Sequence, residues 1–220
     1  MKTHPFVTAV ASLQFEDCFN PYSDRCEIHD RWDAPRRRAT ALSAMLCRAS
    51  EEPVDAIWIG RDLGYRGGRR TGLALTDDFH IGQHARRWNL DQAAERPTIG
   101  RAVGERTAAV IWGMLEHIDA RIFLWNVFPL HPHESGDPFS NRQHNARERR
   151  AGEELLQQLI AMLRPSRIVA IGNDAAAAAQ RITNSVPVIS VRHPSYGGQT
   201  QFQKQISELY GRSMSTGSLF

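Results

Sequence analysis

A chain of 220 residues, 41% of them hydrophobic, is long enough to bury one substantial core, and its length favours one domain over residues 1–220 rather than two. Its 27 basic and 24 acidic side chains leave a formal net charge of +3 and a pI of about 9.0, which tolerates a polyanionic partner without requiring one. No apolar run approaches the roughly 18 residues of a membrane span, the N-terminus lacks a signal-peptide layout, and three cysteines (Cys18, Cys26, Cys47) suit neither a disulfide framework nor a zinc site, so a cytoplasmic setting is expected.

In chain order, an irregular opening carries Asn20-Pro21-Tyr22. Residues 39–49 then set Leu42, Met45, Leu46 and Ala49 at helical spacing, which predicts an amphipathic helix. Val54 to Ile59 is short, apolar and stopped by Gly60, as a buried strand is. A long loop rich in Gly and Arg follows, then a helical stretch over about 103–117. Arg121 to Asn126 is a second buried strand, ended by Pro129. Residues 146–163 line up Leu155, Leu156, Leu159, Ile160 and Leu163 on one face and make the clearest helix. After Pro165 come a third strand, Arg167 to Ile171, and an alanine-rich helix, 175–182, which Asn173 or Asp174 can cap. A fourth strand, Val186 to Val191, precedes a helix over about 200–210 and a frayed tail, Ser213 to Phe220.

Strands that are apolar along their whole length and alternate with helices predict an α/β fold, a three-layer α/β/α sandwich on a central four-stranded parallel sheet. In open sheets of this kind ligands bind beyond the carboxyl ends of the strands. Four segments are therefore selected.

Behind the first strand, residues 60–72 hold five glycines, which permit close backbone approach, and Asp62 sets a carboxylate at the sheet's mouth. No Gly-Lys-Ser/Thr ending is present, so this is not a phosphate-gripping P-loop. Behind the second, Asn126 offers both donors and an acceptor, suited equally to capping a turn or reading a base. Behind the third, Gly172-Asn173 opens a helix whose free amides favour either a plain cap or an anion such as a DNA phosphate. Behind the fourth stands Arg192-His193-Pro194-Ser195-Tyr196-Gly197-Gly198, and His193 converges with Asp62 and Asn126 on one sheet edge. Arginines cluster at 36–38, at 66, 69 and 70, at 86–87 and at 147–150, while lysine is confined to Lys2 and Lys204. Of these groups only the one beside the strand-one loop gains weight as a phosphate contact.

Gly60-Arg61-Asp62, Asn126 and His193-Pro194-Ser195, in this order on a strand-helix scaffold, resemble the signature of the uracil-DNA glycosylase superfamily, over about residues 20–210. The stretch from Gly64 to Gly72 also resembles a bacterial branch whose first motif reads Gly-Glu-Ala-Pro-Gly. The resemblance implies a monofunctional enzyme that flips uracil, or another deaminated base, out of DNA and hydrolyses its bond to the sugar. It implies a nucleoid-associated bacterial protein, monomeric, with no metal or organic cofactor, since three cysteines cannot hold the four-cysteine iron-sulfur cluster of one family branch. Asp62 matches the carboxylate that steadies the sugar cation and orients water, and His193 the donor to uracil O2. Asn126 matches the amide that pairs with N3–H and O4. Gly60, Arg61, Gly64, Tyr65 and Leu75 fall at substrate-binding positions, and Arg69, Arg70, Gly172, Asn173, Ser195, Tyr196 and Gln199 at DNA-contacting ones.

The chain departs from the strictest uracil motif, Gly-Gln-Asp-Pro-Tyr. Leu63 replaces the Pro, and Gly64 takes the place of the Tyr that blocks the thymine methyl, a space Tyr65 could reach. Leu75 stands where an aromatic ring stacks on the flipped base, with Phe79 or Tyr65 as substitutes, and Gly197 falls at the apolar wedge, with Tyr196 or Gln199 as substitutes. Arg61, Leu63 and Leu75 motivate an alternative, a weak or inactive lesion-binding protein of the same fold. A nucleoside hydrolase or an esterase is a third reading, although Ser195 lies in no Gly-x-Ser-x-Gly elbow.

Overall fold

The computed structural model describes residues 3–90 and 95–211. The expected tail at 213–220 lies outside the described residues. Four strands, β2 (Ala56–Asp62), β3 (Ile122–Phe128), β5 (Arg167–Ile171) and β6 (Val188–Val191), form an all-parallel sheet in the order β3-β2-β5-β6. A separate two-stranded antiparallel pair joins β1 (Cys18–Phe19) to β4 (His131–Pro132).

Alternation along each strand builds two cores. Ile57 and Ile59 of β2 meet Phe123, Trp125 and Val127 of β3 and Ile168 and Ala170 of β5 on one face. That face is covered by α1 (Pro5–Ala11), α2 (Ala34–Ser50), α6 (Ala146–Leu163) and α7 (Asn173–Ile182), through residues such as Val10, Leu46, Leu156 and Ala179. Ala56 and Trp58 face the other way with Ile122, Leu124, Val169 and Ile171, under α5 (Arg106–Leu115) and α8 (Gln199–Leu209). The three-layer α/β/α architecture with a four-stranded parallel sheet is thus present, and both sheet faces are dry because the strands are apolar on both sides.

Several boundaries differ from the sequence reading. The irregular opening contains α1, started by His4, whose Nδ1 accepts from the Phe6 amide, and by Pro5 in the first turn. The Gly/Arg-rich loop contains two short helices, α3 (Gly68–Thr71) and α4 (Ile81–Arg87). A four-residue turn is too short to leave a hydrophobic period in the sequence. Helix α7 begins at Asn173 itself, with Gly172 as its N-cap at φ 93° and no side-chain cap, which corrects the expected Asn173 or Asp174 cap. Helix α6 is held open at its start by a capping box: Asn145 accepts the amides of Arg147 and Glu148, and Glu148 accepts the Asn145 amide at 2.7 Å.

Candidate active site

The ends of β2 and β3 are in register, with Gly60 opposite Asn126 and Asp62 opposite Phe128. Asn126 is 1% exposed, and its Oδ1 has no hydrogen-bond partner among the described residues. A Cβ on Gly60 would stand 2.6 Å from that oxygen and 3.0 Å from a Leu75 methyl. Only glycine at 60 therefore leaves the carboxamide where it is. Leu75 is held in the left-handed region at φ 54°, its carbonyl accepting from Trp112 Nε1 at 3.0 Å. Gly60, Leu75 and Asn126 accordingly adjoin one another on the face covered by α5 and α8.

His193 lies just beyond β6. The Ser195 amide donates to its Nδ1 at 3.1 Å, and Ser195 Oγ lies 2.7 Å from the same nitrogen. An Nδ1 that accepts a backbone N–H carries no proton, so the ring proton sits on Nε2. Burial, then the positive charges of Arg61 and Arg192, lower the His193 pKa, so the imidazole is neutral at pH 7. Gly172 packs beneath it, a Cβ there falling 3.4 Å from His193 Cβ.

Asp62 is the last residue of β2. Arg61 Nε donates to its Oδ2 at 2.6 Å and continues through Nη1 to Asp174 at 3.2 Å. His144 Nδ1 bonds its Oδ1, a partner absent from the sequence reading. His144 immediately precedes the capping box of α6. The loop before it is tied down by Arg142, which bonds both Glu148 oxygens (2.7 and 2.8 Å) and the His133 carbonyl (2.9 Å). Cys18 also joins Glu148, at 3.3 Å, and burial, then the Glu148 charge, push its thiol up to about 12, so it stays protonated. The Asn145-x-x-Glu148 box was the signal in the sequence that could have drawn attention to His144.

Other expected contacts fall elsewhere. Arg70 is 4% exposed and bonded to Asp78 through Nε (3.0 Å) and Nη2 (2.8 Å); Arg69, 5% exposed, lies between the Phe19 and Phe139 rings at 4.0 and 4.9 Å. Both are consumed by the interior, which corrects the expectation that they grip phosphate. At the start of α7, Asp174 supplies negative charge in the first turn and pairs with Arg61. Tyr65 is half-buried, its amide donating to Asn141 Oδ1 at 3.0 Å and its hydroxyl accepting from Arg66. Tyr196 is 97% exposed at φ 50°, and with Ser195 and Gln199 it walls a groove of about 330 Å³ whose opposite side is Arg106, Thr107 and Val110 of α5.

The model of the uracil DNA glycosylase superfamily matches residues 55–210, a span that contains Asp62, Asn126 and His193. The chain belongs to that superfamily. No curated protein shows significant sequence similarity to it. Among solved structures it is similar to wild-type SMUG2 of Pedobacter heparinus, at 14% identity and a TM-score of 0.56, with 96% of this chain and 98% of that one covered. At that identity the likeness concerns the fold. Superfamily membership makes this a protein of the DNA glycosylase and DNA repair class, and among the described residues no helix is long and apolar enough to cross a membrane.

Proposed function

We propose that the protein is a monofunctional glycosylase that hydrolyses the N-glycosidic bond of uracil in DNA, acting as a monomer. The observation that carries this reading is the buried Oδ1 of Asn126, without a partner among the described residues, in a strand beside the one that ends in Asp62. A buried acceptor without a partner costs about 1–3 kcal/mol, and the N3–H of a flipped uracil would satisfy it. Cytosine presents a bare acceptor at that position and is disfavoured.

Bond cleavage separates a uracil anion from an oxocarbenium-like sugar. The Nε2–H of His193 donates to uracil O2 as charge develops there, and being neutral it does so without moving its proton. Asp62 faces the cation, lowers its energy and takes the proton of the attacking water. His144 fixes one carboxylate oxygen, while Arg61 competes for the other. Tyr196, unsupported in solvent at the turn behind His193, is suited to fill the gap left by the flipped base.

The test is free-base release from single- and double-stranded uracil oligonucleotides, read by chromatography and by alkaline strand cleavage. Released uracil that disappears in Asp62→Asn supports the reading; intact substrate in both strand contexts refutes it. The Arg61–Asp62 ion pair favours one second reading, a lesion-binding protein with little turnover, which predicts salt-sensitive binding without base release.

A further inference from the structure

One cation at the site works against the chemistry proposed for it. The Arg61 guanidinium donates from Nε to Asp62 Oδ2 at 2.6 Å and from Nη1 to Asp174 Oδ2 at 3.2 Å, so it bridges the end of β2 to the first turn of α7. A carboxylate that already faces a guanidinium offers less of its charge to a sugar cation. An oxygen that accepts from Nε is also not free to take the proton of an attacking water. Turnover therefore needs Asp62 Oδ2 released.

The ends of this bridge are held unequally. The Asp62 side chain is 7% exposed and is bonded by His144 as well, so it stays where the sheet and the remote loop put it. Arg61 is 41% exposed and Asp174 51%, so their pair is screened by water and weak. Asp174 has a second donor in Gln143 Nε2 at 3.3 Å, and keeps a partner when Arg61 departs. The backbone at 61 lies inside β2, between Gly60, paired with Asn126, and Asp62, paired with Phe128. The long arginine side chain is thus the part that can move.

What draws it away must be an anion close to Asp62. A deoxyribose within a DNA strand carries one phosphate on C3′ and another on C5′. When its C1′ faces Asp62, those phosphates come within reach of a guanidinium bonded to that same carboxylate. Each carboxylate engages Arg61 through a single nitrogen. A phosphodiester presents two charged oxygens that match the whole guanidinium fork, which is the stronger arrangement.

We propose that Arg61 is a substrate-operated counter-ion: it covers Asp62 in the free protein and transfers to a phosphate beside the flipped nucleotide when DNA is seated, which uncovers the carboxylate. The proposal rests on the glycosylase reading above. Only ion pairs are exchanged at Arg61, and no proton or covalent bond of its side chain changes.

The probe is a single-stranded uracil oligonucleotide in which the phosphate on the 3′ or the 5′ side of the deoxyuridine is replaced by an uncharged methylphosphonate. Single-turnover uracil release at saturating protein is measured for wild type and Arg61→Gln. In wild type, one of the two replacements is expected to slow release about 10- to 100-fold, the worth of one charge-assisted hydrogen bond. A phosphate that served binding alone would change the affinity and leave the saturated rate as it was. Arg61→Gln is expected to release uracil from that modified strand faster than wild type does, because its Asp62 is never covered by a cation. A gain of this kind cannot come from a damaged fold. Arg61→Met, whose side chain bonds neither Asp62 nor a phosphate, is expected to behave in the same way. Wild type that reacts equally fast on all three strands overturns the proposal, as do variants no faster than wild type on the modified strand. Wild type that releases no uracil even from the unmodified strand removes the glycosylase reading itself, so the two failures are told apart.

Discussion

His193 and Asp62 stand at the end of one sheet, yet they are held in opposite ways. His193 is fixed by its own turn: the amide and hydroxyl of Ser195, two residues on, face its Nδ1, and Gly172 at the neighbouring strand end leaves room beneath it. Asp62 is fixed from afar, by His144, which is 82 residues away, and by an arginine whose other end is tied to Asp174. A local turn carries its geometry wherever the sheet places it. A carboxylate set by a remote loop inherits every disturbance of that loop, so the Asp62 side should be the vulnerable half of the site.

The largest effects come from the two groups themselves. His193→Leu removes the donor to the leaving base and is expected to lower single-turnover uracil release about 100- to 1,000-fold, with Asp62→Asn of similar size. Both variants should bind uracil-containing DNA nearly as wild type does. Retention of more than a tenth of the wild-type rate in either one places that group away from the reacting bond.

Gly60→Ala, two residues before Asp62, tests the packing around Asn126. Its Cβ would lie 2.6 Å from Asn126 Oδ1 and 3.0 Å from Leu75, and neither neighbour can retreat into a packed strand. Overpacking of this kind costs about 1–3 kcal/mol, so a lower Tm is expected together with a ten- to hundredfold loss of uracil release. Wild-type discrimination between uracil and cytosine in this variant would contradict the role given to Asn126.

His144 and Glu148 address the remote support directly. His144→Ala frees one oxygen of Asp62 and should slow uracil release about tenfold, with partial rescue in His144→Asn, whose carboxamide can still donate. Glu148 does not touch Asp62. Burial works to raise its pKa, but bonds from Arg142 and the Asn145 amide outweigh burial and lower it. A depressed folded pKa means stability that is present above the ordinary glutamate range and lost as pH falls through the folded value. Glu148→Gln should therefore destabilise the protein at pH 7, flatten its acid unfolding, and slow uracil release through His144 while leaving the pH dependence of His193 unaltered. If the Glu148 variant unfolds less readily than wild type, or reacts at an undiminished rate, the remote loop is not what sets Asp62.

The same contrast explains how much could be read beforehand. The four strands were legible because each is a short apolar run closed by a breaker, and α6 because Leu155, Leu156, Leu159 and Leu163 form an apolar stripe along its second half. Asp62, Asn126 and His193 were legible because each lies at or near the carboxyl end of a strand. His144 was not, since its partner is distant and a histidine in a polar loop looks like any other. Arg69 and Arg70 were misread for a related reason: charge in a sequence says nothing of burial, and the ring pair Phe19 and Phe139 and the carboxylate of Asp78 that take them inside lie on other segments.

The smallest effect belongs to the locally held half. Ser195→Ala deletes the hydroxyl at His193 Nδ1 but keeps the backbone amide, so uracil release at pH 8 should fall no more than a few-fold, the measure of one neutral hydrogen bond. Its informative readout is pH. A donor at Nδ1 favours the neutral ring; removing one makes protonation easier, and the lowered pKa of His193 moves back toward its ordinary value. Protonation places an N–H on Nδ1 against the Ser195 amide and breaks the turn. The acid limb of uracil release should therefore shift to higher pH in Ser195→Ala. A shift to lower pH would mean that the hydroxyl accepts from a protonated Nδ1 rather than donates to it, which overturns the Nε2–H tautomer.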